Sequence, residues 1–222
     1  MNRFKTLKDH VYDYISQQIL EGNLKPSERI NESDISEALS VSRTPVREAL
    51  IQLSCEGMLE NVPRKGFILK GTTEKEAAEL YQIIGALDAL SATLSYDVLS
   101  ENDYTKMEYH IQSMNFAIKS DNYEMYLEHQ ESFHKVYLDK ANNTVLADTI
   151  TRLKNRFFTR GYTKSDDEQN KEYLQTINDE HVIILKLFKD KNISELAEYI
   201  QHTHWTPAEA NKEILPQKIN KK

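Results

Sequence analysis

Apolar side chains recur at helical spacing along most of this chain, and the places where the rhythm breaks divide it into two parts. Leu7, Val11, Tyr14, Ile15 and Ile19 predict an amphipathic helix over residues 7–20, with Glu21-Gly22-Asn23 as its stop. Asn31 followed by Asp34 reads as an N-cap with an acidic first turn, opening a short helix that turns Ile35, Ala38 and Leu39 inward. After the turn Ser40-Val41-Ser42, a third helix is predicted from about Thr44 to Glu56, with Val46, Ala49, Leu50 and Leu53 on its buried side. Pro45 suits its first turn, where a missing N–H costs nothing, and Gly57 is the expected terminator. The period then shortens: Met58–Val62 and Gly66–Leu69 read as two strands of a small hairpin around Pro63-Arg64-Lys65.

From Glu74 onward every stripe is helical. Leu80, Ile84, Leu87, Ser91 and Leu94 make the first, and Tyr104, Met107, Ile111, Met114 and Ile118 the second. Tyr126, Phe133 and Tyr137 anchor a third, and Val145, Ile150, Leu153, Phe157 and Phe158 mark a fourth. Leu174, Ile177, Ile184, Leu185 and Phe188 mark a fifth, and Ile193, Leu196, Ala197 and Ile200 a short last one. Loops such as Ser100-Glu101-Asn102-Asp103 and Ser120-Asp121-Asn122 are short, so six helices are expected to pack as an antiparallel bundle. The predicted fold is mainly α. A winged helix-turn-helix occupies residues 1–70, a linker 71–75, an all-helical domain 76–206, and a frayed tail 207–222.

Composition narrows the function. No apolar run approaches the ~18 residues that cross a bilayer, and the opening MNRFKTLKDHVYDYI does not read as a secretory signal. The single cysteine, Cys55, cannot form an internal disulfide, so a reducing cytoplasm is expected. With 6 Gly and 5 Pro in 222 residues, glycine-rich phosphate loops and turn-dense β folds are disfavoured. The net charge of −7 lies wholly beyond residue 70, because residues 1–70 carry ten basic and ten acidic side chains. Local clustering is what matters for phosphate binding. Arg43 and Arg47 stand four apart, and Arg64-Lys65 sits beside Gly66. A solvated helix face is the bland alternative for such pairs.

In a helix-turn-helix, residues at the N-terminus of the third helix meet base edges and phosphates. Ser42, Arg43, Thr44 and Arg47 stand there. An arginine can take guanine bidentately or hold a phosphate, and a helix N-terminus favours an anion. At the hairpin tip Arg64 and Lys65 are placed to reach the minor groove or its phosphates, with Gly66 letting the backbone come close. The run ILEG through LKP, VSRTPVREAL, EG and PRKG resembles the winged helix-turn-helix of the GntR family over residues 6–70. Ser27 stands where that family usually has a glycine. The resemblance implies a DNA-binding transcription factor that reads a palindromic operator as a homodimer.

His134 and His181 both fall on apolar helix faces, which makes a metal or anion site a fair hypothesis beside two ordinary core histidines. The helical part is similar to the FCD-type ligand-sensing domain of the FadR branch, through Ser132-Phe133-His134, Asn142-Asn143 and Glu180-His181. That similarity implies a divalent metal (Zn, Ni or Mn) and an organic-acid effector. His134 and His181 match two of its four ligand positions. The Asp position, four before His134, is Gln130, and the last histidine is expected at Thr203. His204 becomes the better ligand only if the helix shifts register slightly. The pattern often has an arginine where Ile84 stands, four before Asp88. Arg152, Arg156 and Arg160 lie along one helix, and Arg152 and Arg156 are candidates to neutralise an effector carboxylate.

Two other classes compete. A constitutive DNA-binding protein whose bundle only dimerises is favoured by Gln130, Thr203 and Ile84. A metal-dependent helical enzyme is disfavoured, since neither His-x-x-x-His nor His-Glu-x-x-His occurs. Cys55 is expected to be packed rather than nucleophilic.

Overall fold

A computed structural model describes residues 5–20, 23–24, 27–158, 168–208 and 210, with the backbone alone at residues 20, 156–158 and 168–170. Two compact units divide the chain, one holding the residues up to Ala77 and the other most of those after it.

The first unit is built from α1 (Leu7–Leu20), α2 (Glu32–Leu39), α3 (Arg43–Cys55), β1 (Leu59–Val62) and β2 (Gly66–Leu69). Glu21 and Gly22, read as the stop of α1, lie outside the described residues. Asn31 caps α2 as expected, its side chain accepting from the Ser33 N–H at 3.0 Å. The α2–α3 turn passes through Ser40 at φ 53°, and α3 begins one residue earlier than the pattern suggests. Val46, Ala49, Leu50 and Leu53 are buried against Val11, Ile15 and Ile19 of α1. The hairpin pairs Leu59 with Leu69 and Val62 with Gly66, turning Leu59, Phe67 and Leu69 into the same core. A further antiparallel bridge, Arg29 to Ile68, ties the chain before α2 onto β2. Nothing in the hydrophobic pattern announced it, because it is made by backbone.

The second unit contains α4 (Glu74–Ser95) from Ala78 onward, α5 (Glu101–Lys119), α6 (Tyr123–Lys140), α7 (Thr144–Phe158) as far as Ile150, α8 (Glu168–Lys189) and α9 (Ile193–Tyr199). A π-helical turn, Ile200–His204, prolongs α9. The α4 helix starts inside the expected linker, because Thr73 and Glu76 cap it. The Thr73 N–H donates to the Glu76 carboxylate at 3.0 Å, and the Glu76 N–H donates to the Thr73 hydroxyl at 3.2 Å. The supposed loop Ser100-Glu101-Asn102-Asp103 is the first turn of α5, where the Ser100 N–H and hydroxyl both donate to Asp103 Oδ2, at 3.1 and 2.6 Å. Helix α5 packs against both α6 and α8. The second, third and fifth stripes are buried as expected. Leu94, Val145 and Ile193, expected inward, face outward. Of residues 207–222, read as a frayed tail, 209 and 211–222 lie outside the described residues, and Ala210 is buried.

Candidate functional site

In the first unit the backbone sets how the basic residues are shown. Burial of Val46, Ala49, Leu50 and Leu53 leaves Arg43, Thr44 and Arg47 exposed on the opposite side of α3, with Ser42 extended at its N-cap and also exposed. Arg43 Nη2 donates to Ser33 Oγ at 3.1 Å, which ties the start of α3 to α2. At the hairpin tip Arg64 and Lys65 are exposed, and the Lys65 N–H closes the turn on Val62 O at 3.0 Å. Gly66 takes φ 84°, a conformation that side chains disfavour, so its first duty is to the turn itself. Arg64 takes φ 67° without being glycine. Cys55, expected to be packed, is exposed at the end of α3, because position 55 falls on the solvent side of the stripe.

The second unit gathers His134 from α6, His181 from α8 and His204 from the π-turn, all buried. His134 Nε2 lies 3.3 Å from His181 Nε2 and 3.2 Å from His204 Nε2. One candidate ligand atom from each ring lies within 4.8 Å of the other two. The register shift that His204 needed is the π-turn. It inserts one residue into the end of α9, so His204 enters the core while Thr203 and His202 stay exposed. Gln130 is buried one turn before His134. Arg152 is exposed, while the side chain of Arg156 and all of Arg160 lie outside the described residues.

Behind the histidines stand residues the sequence did not single out. His134 Nδ1 is 3.0 Å from Asp88 Oδ2 and 2.5 Å from the Tyr137 hydroxyl. That hydroxyl donates to Asp88 Oδ2 at 2.8 Å, as does Trp205 Nε1–H, also at 2.8 Å. Burial and the Asp88 charge push the Tyr137 phenol well above its ordinary pKa, so it keeps its proton. His204 Nδ1 lies 2.8 Å from Glu180 Oε2. A carboxylate at Nδ1 favours the tautomer of a neutral imidazole that is protonated there, which would leave Nε2 of His134 and of His204 as lone-pair donors. The two Nε2 atoms face each other at 3.2 Å, a placement that a shared cation would suit.

The donor set also fits such a cation. Tetrahedral zinc, with Zn–N of about 2.0–2.1 Å, needs its nitrogens about 3.3 Å apart, and the two Nε2 separations are 3.2 and 3.3 Å. Among the described residues this is the one cluster of at least three His, Cys, Asp or Glu side chains suited to a metal.

Comparison with known proteins joins the two units. The family model for bacterial regulatory proteins of the gntR family matches residues 7–69, and the FCD domain model matches residues 79–205. The HTH-type transcriptional regulator YdhC of Bacillus subtilis is 29% identical over 82% of this chain and 80% of its own length. The Nta operon transcriptional regulator of Aminobacter aminovorans is 25% identical over 80% of this chain and 81% of its own. In fold, Escherichia coli McbR/YncC superposes with a TM-score of 0.78 at 20% identity, over 96% of this chain and all of the other. Among the described residues no helix is long and apolar enough to cross a membrane. The chain belongs to the GntR family of DNA-binding transcriptional regulators, in the branch that carries an FCD domain.

Proposed function

We propose that this regulator reads a palindromic operator as a homodimer and releases or tightens its hold when an organic acid binds at a metal held by the histidine triad. Ser42, Arg43, Thr44 and Arg47 meet the major groove, and Arg64, Lys65 and Gly66 meet the minor groove or its phosphates. His134, His181 and His204 hold a divalent ion, Zn²⁺, Ni²⁺ or Mn²⁺. A bound ion of this kind supplies a concentrated positive charge for a carboxylate. This reading places the carboxylate at the triad and does not rely on Arg152, which is exposed. The observation that carries it is the convergence of the histidine Nε2 atoms, two of them with a carboxylate, of Asp88 or Glu180, at the other nitrogen of the ring. Effector occupancy shifts a population between poses of the paired winged units, which requires that it bind the poses with different affinity.

The surface of α4 supports the dimer. Ile83, Leu90 and Leu94 are 43–49% exposed, and with half-buried Leu87 they form a stripe at three- and four-residue spacing. After Glu79 the only charge on α4 is Asp88, which is buried, so the exposed face is uncharged. A self-complementary apolar face suits a second copy of the chain, as an operator with two half-sites demands.

Selection of bound duplexes from a random DNA pool, followed by mobility-shift titration, tests the function. An enriched inverted repeat, bound by the wild type and lost in Arg47→Ala, is the expected result. Unchanged affinity in Arg47→Ala overturns the assignment of α3. A bundle that only dimerises is the second reading, favoured by the neutral Gln130, and it expects operator affinity indifferent to metal and carboxylates.

A further inference from the structure

We propose that Asp88 and Glu180 set the metal affinity of the triad as positioning residues, acting through His134 and His204, and that Gln130 does not. This inference rests on the triad being a metal site. Three neutral imidazoles bring no charge to a dication, and a neutral amide at position 130 brings none either. The compensating charge on the page lies one bond network further out. Asp88 is fully buried on α4 and Glu180 is largely buried on α8, each with a carboxylate oxygen on the Nδ1 side of a different histidine. A carboxylate in that position fixes the tautomer, aims Nε2 and raises its basicity.

Asp88 does more than orient one ring. Its Oδ2 lies within 3.0 Å of His134 Nδ1 and accepts the Tyr137 hydroxyl and Trp205 indole hydrogens. Trp205 directly follows His204, so the same oxygen anchors the end of the π-turn that brings His204 inward. One side chain thereby couples α4, α6 and the π-turn around the ligand nitrogens. Glu180 meets the other side of the same turn through His204.

Trp205 is the single tryptophan of the chain, and its ring centroid lies 5.7 Å from that of His134 and 5.5 Å from that of His204. Its emission therefore reports occupancy of the triad in particular.

The experiment is a ZnCl2 titration of metal-stripped full-length protein followed by Trp205 fluorescence, for the wild type, Asp88→Asn, Glu180→Gln and Gln130→Ala. Long-range ¹H–¹⁵N correlation of the metal-free proteins reads the histidine tautomers. Saturation by about one equivalent in the wild type is expected, with a Kd raised about 10–100-fold in Asp88→Asn and in Glu180→Gln. Gln130→Ala should stay within about threefold, and in the metal-free wild type His134 and His204 should carry the proton on Nδ1. Asp88→Asn should mix the His134 tautomers, a change that loss of packing alone does not require. If Asp88→Asn fails to fold, Glu180→Gln carries the comparison. Wild-type zinc binding with both carboxylate variants within threefold overturns this inference and leaves the metal site standing. A tenfold loss in Gln130→Ala overturns it as well. No zinc binding by the wild type overturns both the inference and the metal reading.

Discussion

Two exposed residues, Ser27 and Arg64, share a left-handed backbone, at φ 67° each, and neither is a glycine. An L side chain there costs about 1–2 kcal/mol. At Ser27 no side-chain interaction among the described residues repays that cost, so Ser27→Gly is expected to raise stability by up to about 1 kcal/mol with DNA affinity unchanged. Chemical denaturation checks it, and a loss of stability would contradict the strain argument. Arg64 carries the same strain at the tip that we propose faces DNA. Arg64→Gly should stabilise the fold while weakening binding to all sequences and flattening the dependence of log K on log[salt] by about one phosphate contact. A variant with altered sequence preference and the same salt slope would show that Arg64 reads bases instead. The basic residues were legible because the motif VSRTPVREAL and the tip PRKG are local in sequence. Asp88, Tyr137 and Trp205 were not, since each is unremarkable in its own helix and they meet only through packing. Glu180 was noticed as the neighbour of His181, yet the structure pairs it with His204.

At the scale of elements, caps and close approaches decide where helices begin and how near they come. Asp103 is buried at the start of α5, where hydrogen bonds from Ser100 and the ammonium groups of Lys140 and Lys106 hold its carboxyl well below the usual carboxylate range. A depressed pKa stabilises the fold above the unfolded value of about 3.9 and ceases to do so as pH falls from there. The melting-temperature advantage of the wild type over Asp103→Asn should therefore be full at pH 7 and shrink below about pH 4. An advantage that grows on acidification would contradict this.

Gly85 on α4 is needed for space: a Cβ there would sit 2.8 Å from Trp205 Cβ and 3.1 Å from Gln201 O. Gly85→Ala is expected to cost about 1–3 kcal/mol by overpacking and to disturb the π-turn that seats His204, read as a lower melting temperature and weaker zinc-induced stabilisation. The six helical stripes after residue 73 were legible from periodicity. The one-residue shift at Ile200–His204 was not. A π-turn keeps its hydrogen bonds and its apolar neighbours, so it leaves almost no mark on hydrophobic spacing. The proximity of His202, Thr203 and His204 to an expected ligand position was the only sign.

For the whole molecule, the apolar pattern located helices correctly but did not say what covers each face. The outward Leu94 belongs to the stripe of α4 that we assign to a second copy. Leu90→Glu together with Leu94→Glu should give a folded monomer by light scattering and reduce operator affinity by at least about tenfold, since each half-site then binds alone. A dimer that survives both substitutions would place the interface elsewhere. On the proposed reading, the histidine triad is where the bundle receives the signal that the winged module carries to DNA. The direct test is elemental analysis by mass spectrometry of protein purified without chelator or histidine tag. The expected result is about one equivalent of Zn, Ni or Mn per chain in the wild type, absent from the double variant His134→Ala, His181→Ala, which remains folded. A wild-type protein that carries no metal, and takes up none when dialysed against these ions, would contradict the claim.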